Sequence, residues 1–175
     1  MKKMIFLSLI FIGLVGCQPS NNSAKQEEGV SIPKEELVVL KDFGPEPLVI
    51  DIEEYTLTNE TFRTAIWTGE NFQLTVMSIP VGGEVGLEVH YDVEQFLRVE
   101  SGEAEVLMGD SEDDLNFVRK AGDDDAIFIP LGKWHNILNK GDKPLKLYSI
   151  YAKPEHPRGT VHQDKAASDA DHHDH

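Results

Sequence analysis

The sequence of 175 residues has a single cysteine, so no disulfide can form within the chain. It is poor in basic residues: 16 Lys and Arg stand against 31 Asp and Glu, a formal charge of −15. That balance argues against nucleic acid or an anionic lipid surface as a partner. It has no long segment of helical periodicity, which excludes a helical bundle. Glycine-rich phosphate loops, Cys-x-x-Cys pairs and a nucleophile elbow are missing as well. The acidic runs Glu112-Asp113-Asp114 and Asp123-Asp124-Asp125 lack the regular ligand spacing of a calcium loop and read as solvated turns.

Its apolar run is also short. Ile5 to Val15 follows the positive pair Lys2-Lys3 and precedes Leu14-Val15-Gly16-Cys17, too brief for a comfortable membrane span. Charge, apolar run, small residue and sole cysteine fall in the order of a bacterial lipoprotein signal, which this stretch resembles. The resemblance implies cleavage before Cys17 and lipidation of that residue, with the acyl chains holding the protein to a membrane of the cell envelope. A plain signal peptide and a buried apolar segment are the alternative readings. Residues 1–16 are then the signal and 17–33 a flexible polar tether. Residues 31–40 suit a short helix or an edge strand, with Pro33 at a helix start.

From there the pattern is β. Residues 62–67, 72–79, 104–108, 115–119, 126–129, 134–138 and 145–151 are short runs rich in β-branched and aromatic residues, separated by turn-formers. Short strands at this spacing predict an all-β sandwich or barrel over residues 34–152. Residues 153–175 form an irregular arm laid on the barrel, followed from Gln163 by a polar, mobile tail. The tail's His172, His173 and His175 could scavenge metal without forming a selective site.

Two stretches carry chemistry. In the first, residues 86–102, Glu88 and His90 are two apart and share a strand face, with Leu87 and Val89 opposite. Tyr91 to Glu94 turn the chain, so Gln95 opens a second strand and the three polar groups converge. Glu94 falls on the other face and ranks behind Gln95 as a ligand. In the second stretch, Pro130 and Gly132 make a tight turn and His135 enters the next strand pointing inward.

Together the two stretches resemble the paired motifs of the cupin superfamily. The second reads Gly122, then Pro130-x-Gly132-x-x-His135-x-x-x-Asn139, and follows the pattern closely. The first departs from it: Glu88 stands where a first histidine is usual, and Gln95 where a glutamate is usual. The run from Pro154 to His162 adds a likeness to small mannose-6-phosphate-isomerase-like cupins. The resemblance implies a double-stranded β-helix, a jelly-roll barrel, with Glu88, His90, Gln95 and His135 as metal ligands. Two imidazoles, a carboxylate and an amide oxygen suit Mn, Fe, Ni or Zn. Glu88 is also the candidate general base. The expected function is metal-dependent chemistry on a small molecule, either isomerisation of a sugar-like carbonyl compound or oxygenation. A non-enzymatic metal- or ligand-binding envelope lipoprotein is the alternative, and a homodimer is compatible with either. Arg63, Gln73, Arg98 and Tyr148 are weaker cavity candidates, and Trp67, Phe72, Phe96, Phe128 and Trp134 read as core or pocket wall.

Overall fold

The computed structural model describes residues 30–31 and 37–172. The proposed signal, Cys17 and His173 to His175 lie outside them. In chain order the elements are β1 (Val30–Ser31), β2 (Leu48–Val49), α1 (Ile52–Thr58), β3 (Arg63–Thr68), β4 (Gln73–Ile79), β5 (Gln95–Ser101), β6 (Ala104–Gly109), β7 (Phe117–Ala121), β8 (Ala126–Ile129), β9 (Trp134–Asn139), β10 (Leu145–Tyr151), β11 (Val161–His162) and α2 (Lys165–His172). Among the described residues no helix is long and apolar enough to cross a membrane.

The strands build a six-stranded sheet in the order β11-β3-β4-β10-β5-β8 and a three-stranded sheet in the order β7-β6-β9, with antiparallel pairing throughout both. Alternation explains how they pack. Met77, Ile79, Leu97, Val99, Leu145 and Leu147 from the larger sheet meet Ala104, Val106, Met108 and Ile137 from the smaller one in one buried core. The outcome is the all-β jelly-roll barrel expected from the strand pattern.

The outer face of the larger sheet has its own cover. Tyr55 of α1, Ile66 and Val76 form a second buried cluster, with Val38, Leu40, Phe43 and Ile50 packed against it. Asp51 caps α1, its carboxylate accepting from the Glu54 amide at 3.2 Å. This helix is not evident in the sequence, because seven residues make only two turns and show no periodicity.

Several expectations need correction. Val30 and Ser31, read as tether, pair in parallel with Leu48 and Val49. Residues 37–40 carry no helix or strand. Much of the tail read as mobile is ordered: β11 pairs with β3, and α2 follows, capped by Asp164, whose carboxylate accepts from the Ala167 amide at 2.9 Å. The aromatic assignments also shift. Phe128 is 70% exposed and Phe72 43%, while Trp67, Phe96 and Trp134 are half-buried, so none of the five belongs to the core, though Phe96 and Phe128 form part of a pocket wall on the outer face.

Candidate metal centre

Residues 83–90 run beside β9 without forming a continuous strand. Isolated bridges pair Glu84 with Leu138 and Glu88 with His135. Gly86 breaks the ladder between them: its φ of +119° is a conformation that side chains resist, and its amide turns to Asn136 Oδ1. Glu88 and His135 nonetheless exchange both backbone hydrogen bonds, at 3.0 and 2.9 Å. The Gly132 amide donates to the His90 carbonyl at 2.7 Å. The two motifs, about 45 residues apart in sequence, are thus stitched together through the main chain at the level of the site.

The stitching gathers three side chains. Ligand atoms of Glu88, His90 and His135 lie within 4.8 Å of one another. Glu88 Oε1 is 3.3 Å from His135 Nε2 and 3.5 Å from His90 Nε2, and the imidazole rings are 5.3 Å apart. Leu87 is exposed, as alternation requires. Gln95 is buried and faces inward at the start of β5, while Glu94 is exposed. The Gln95 amide donates to Ser149 Oγ at 3.0 Å, and its Oε1 is buried with no hydrogen-bond partner.

The hydrogen-bond chemistry of this group calls for a cation. His135 Nδ1 is 2.8 Å from the Lys133 carbonyl, which can only accept, so Nδ1 carries the proton. Its Nε2 then turns a lone pair toward the Glu88 carboxylate. Two acceptors at 3.3 Å need a proton or a metal ion between them. His90 Nε2 is buried without a hydrogen-bond partner, and its Nδ1 faces Glu155 Oε1 at 3.4 Å. Without metal, protons take the role. Burial opposes charge on His90, but Glu155 and Glu88 overcome it and push the imidazole up to about 9. Burial likewise works against ionised Glu88, yet His135, His90 and the charge of Arg63 hold it well below the usual carboxylate range. A divalent ion fits the same donors, two imidazole nitrogens and a carboxylate, and the unpartnered amide oxygen of Gln95 is the candidate fourth ligand.

A cavity of about 440 Å³ opens onto this group, lined among others by Glu88, His90, Glu155, Lys165, Ser168 and Asp169. Four of those six come from the arm and α2. Glu155 has no local signal in the sequence beyond its place in the arm; it joins the site because the chain folds back after β10. Tyr151 also escaped the sequence reading: its ring meets His90 at 6.1 Å, and burial pushes its phenol up.

Of the weaker candidates, Arg63 and Gln73 take inward positions, and Arg63 is buried beside α2. Gln73 is buried too, but its amide is spent clamping the arm through the main chain of His156. Arg98 lies on the outer face, ion-paired with Glu100 and Asp124. Tyr148 packs outward with Phe96 and the cluster under α1. Glu100, Asp123 and Asp124 also lie close enough to share an ion, but Arg98 already occupies Glu100 and Asp124.

Comparison with known proteins agrees with the barrel. Residues 75–151 match the cupin domain family. The chain is 57% identical over 129 residues to the uncharacterised protein YrkC of Bacillus subtilis, covering 74% of this chain and 69% of YrkC. It is 35% identical over 114 residues to the uncharacterised protein L612 of Acanthamoeba polyphaga mimivirus, covering 65% and 69%. The crystal structure of BH2720 from Bacillus halodurans shares 54% identity, covers 74% of this chain and 98% of its own, and superposes with a TM-score of 0.74. The chain belongs to the cupin family.

Proposed function

We propose that this cupin binds one divalent transition metal through Glu88, His90, Gln95 and His135 and acts on a small molecule held in the mouth of the barrel. The observation that carries the reading is the facing of the His135 Nε2 lone pair and Glu88 Oε1 at 3.3 Å, beside the unpartnered Nε2 of His90. When bound, the ion would supply Lewis acidity toward a substrate oxygen or, if redox-active, electrons for dioxygen chemistry.

The chain's own groups have separable tasks. Glu88 stays ionised at neutral pH, which suits a charge-neutralising ligand better than a general base. Lys133 fixes the His135 tautomer through its carbonyl. Glu155 orients His90 from the mouth. Tyr151, kept protonated by burial, can give a proton to a substrate oxygen. Isomerisation of a carbonyl compound uses all four groups and is the reading we prefer; oxygenation is the second.

Elemental analysis tests this on a chain with His172, His173 and His175 replaced by Gln, which keeps α2 and removes the competing imidazoles. About one equivalent of Mn, Fe, Ni or Zn is expected, and none in His135→Ala. A metal-free protein whose stability and metal content ignore both His90→Ala and His135→Ala would defeat the proposal. Metal without turnover of sugar phosphates, free sugars, phenolics or diketones would leave a non-enzymatic binding protein.

The proposal includes attachment to a bacterial envelope membrane through lipidated Cys17, supported by the order of charge, apolar run and cysteine in residues 2–17. Cys17→Ala is expected to move the protein out of the membrane fraction. It also includes a homodimer, supported by the exposed Phe128 beside Phe96 on the outer face, and light scattering reads the mass.

A further inference from the structure

Arg63 is 1% exposed, yet among the described residues no carboxylate lies within 4.0 Å of it. Buried guanidinium groups are normally matched by an anion, because the unmatched charge is costly in a low-dielectric interior. Arg98 shows the usual solution: it is half-exposed and still engages both Glu100 and Asp124. Arg63 has only neutral acceptors. Its Nη1 donates to Ser168 Oγ at 2.7 Å and sits 3.5 Å from His162 Nδ1, while its Nε is buried with no partner. His162 keeps that lone pair toward Arg63 because its Nε2 proton goes to Asp171 at 2.8 Å. The ring of Phe62 supports the guanidinium at 5.4 Å.

The position of Arg63 is as telling as its partners. It enters β3 opposite Met77, on the inward face of the sheet. Ser168, which holds it, lines the same cavity as Glu88 and His90. Arg63 thus stands behind Ser168 of the cavity wall, its charge reaches Glu88, and a stronger acceptor entering the cavity would displace the serine hydroxyl.

We infer that Arg63 is the receptor for the anionic end of the ligand, and that this ligand is a small organic carboxylate rather than a phosphate ester. The charge count rests on the metal reading above; the geometry of Arg63 does not. A divalent ion, Arg63 and Lys165 would bring four positive charges, and Glu84, Glu88, Glu155 and Asp169 bring four negative ones, so the mouth accepts a singly charged carboxylate more readily than a dianion. A phosphate dianion would overshoot in a mouth already lined by Glu155 and Asp169. A planar carboxylate also matches the N–H edge of a guanidinium with two parallel hydrogen bonds. Arg63 is thus a specificity-determining residue, and Ser168 its placeholder.

Calorimetric titration of pyruvate and inorganic phosphate into the full chain, manganese-loaded and metal-free, tests this. Pyruvate is expected to bind at least about tenfold more tightly than phosphate. Arg63→Gln should lose at least about tenfold in pyruvate affinity while retaining its metal, with Arg63→Lys intermediate because it keeps charge without the fork. Ser168→Ala, which frees Nη1, should tighten pyruvate binding several-fold. Equal binding of phosphate and pyruvate, or parental pyruvate affinity in Arg63→Gln, would overturn the inference. If Arg63→Gln does not fold, Ser168→Ala decides: unchanged or weaker pyruvate binding overturns it. Pyruvate binding that depends on Arg63 in a chain holding no manganese would sustain the inference while the metal reading fails.

Discussion

The inward positions of the larger sheet divide into two halves that obey different rules. On β4, β10 and β5, register places Ile79 beside Leu145, and Leu147 between Met77 and Val99, so two successive rows of these strands are apolar and buried. The next rows along the same strands place Ser149 beside Thr75 and Tyr151 between Gln73 and Gln95. In the apolar half of these three strands nothing is left to satisfy. In and around the polar half, Thr75 Oγ1, His90 Nε2 and Gln95 Oε1 are buried without hydrogen-bond partners, and so is Nε of Arg63, which meets the edge of the apolar half from β3, opposite Met77. Native interiors pair almost every buried polar group, so a concentration of orphans in one place marks where a ligand completes the structure. One half holds the barrel together; the other carries the candidate site.

The division can be broken from either side. The largest effect is expected in the apolar half. Leu147 is fully buried, and Leu147→Ala should cost about 2–5 kcal/mol in chemical denaturation while metal per folded molecule stays unchanged. A fall in metal stoichiometry of the folded fraction would show that the halves are not independent.

The polar half should respond to pH in opposite senses with and without metal. In the metal-free chain His90 titrates near 9, above its ordinary 6.5, so its contribution to stability is full below 6.5 and is lost as pH rises through about 9. Glu88 is depressed from 4.5, so its contribution is present above that value and is lost on acidification. Metal binding must expel the His90 proton, so metal affinity should climb by about tenfold per pH unit below 9 and level off above it. Competition with a chelator of known affinity measures this, and a flat profile would remove His90 from the ligand set.

Gln95→Glu sharpens the contrast within one residue. A carboxylate at this buried position should destabilise the metal-free chain by about 1–3 kcal/mol. It should also tighten metal binding by about tenfold, because a second negative charge joins Glu88. Thermal melts with and without manganese would show both, and destabilisation that metal does not reverse would place Gln95 outside the coordination sphere. The smallest effect belongs to the outer face: Phe128→Ser should change the stability of the monomer by no more than about 0.5 kcal/mol, since the ring is 70% exposed.

The strands were readable from the chain because period-two alternation is a local signal, and each predicted run from residue 62 to 151 coincides with a strand apart from shifts of one or two residues at some ends. The first motif was readable only in part. The shared face of Glu88 and His90 survives, but Gly86 and Asn136 interrupt the expected strand. The helices were not readable, since seven and eight residues give no period to detect. The mouth was least readable of all. Glu155, Lys165, Ser168 and Asp169 sit in segments whose composition signals only polarity.

By itself, then, the sequence determined the class of fold and the residues of the two motifs, because alternation, turn chemistry and ligand spacing act over a few neighbouring residues. The tertiary structure decided which of those residues meet, through the Glu88–His135 backbone pair, and how the mouth is furnished, through the arm and α2. It also decided that Arg63 is buried with neutral partners on Ser168 and His162, roughly 100 residues away in sequence. No local pattern encodes such contacts: they form only when barrel closure brings distant segments to one end.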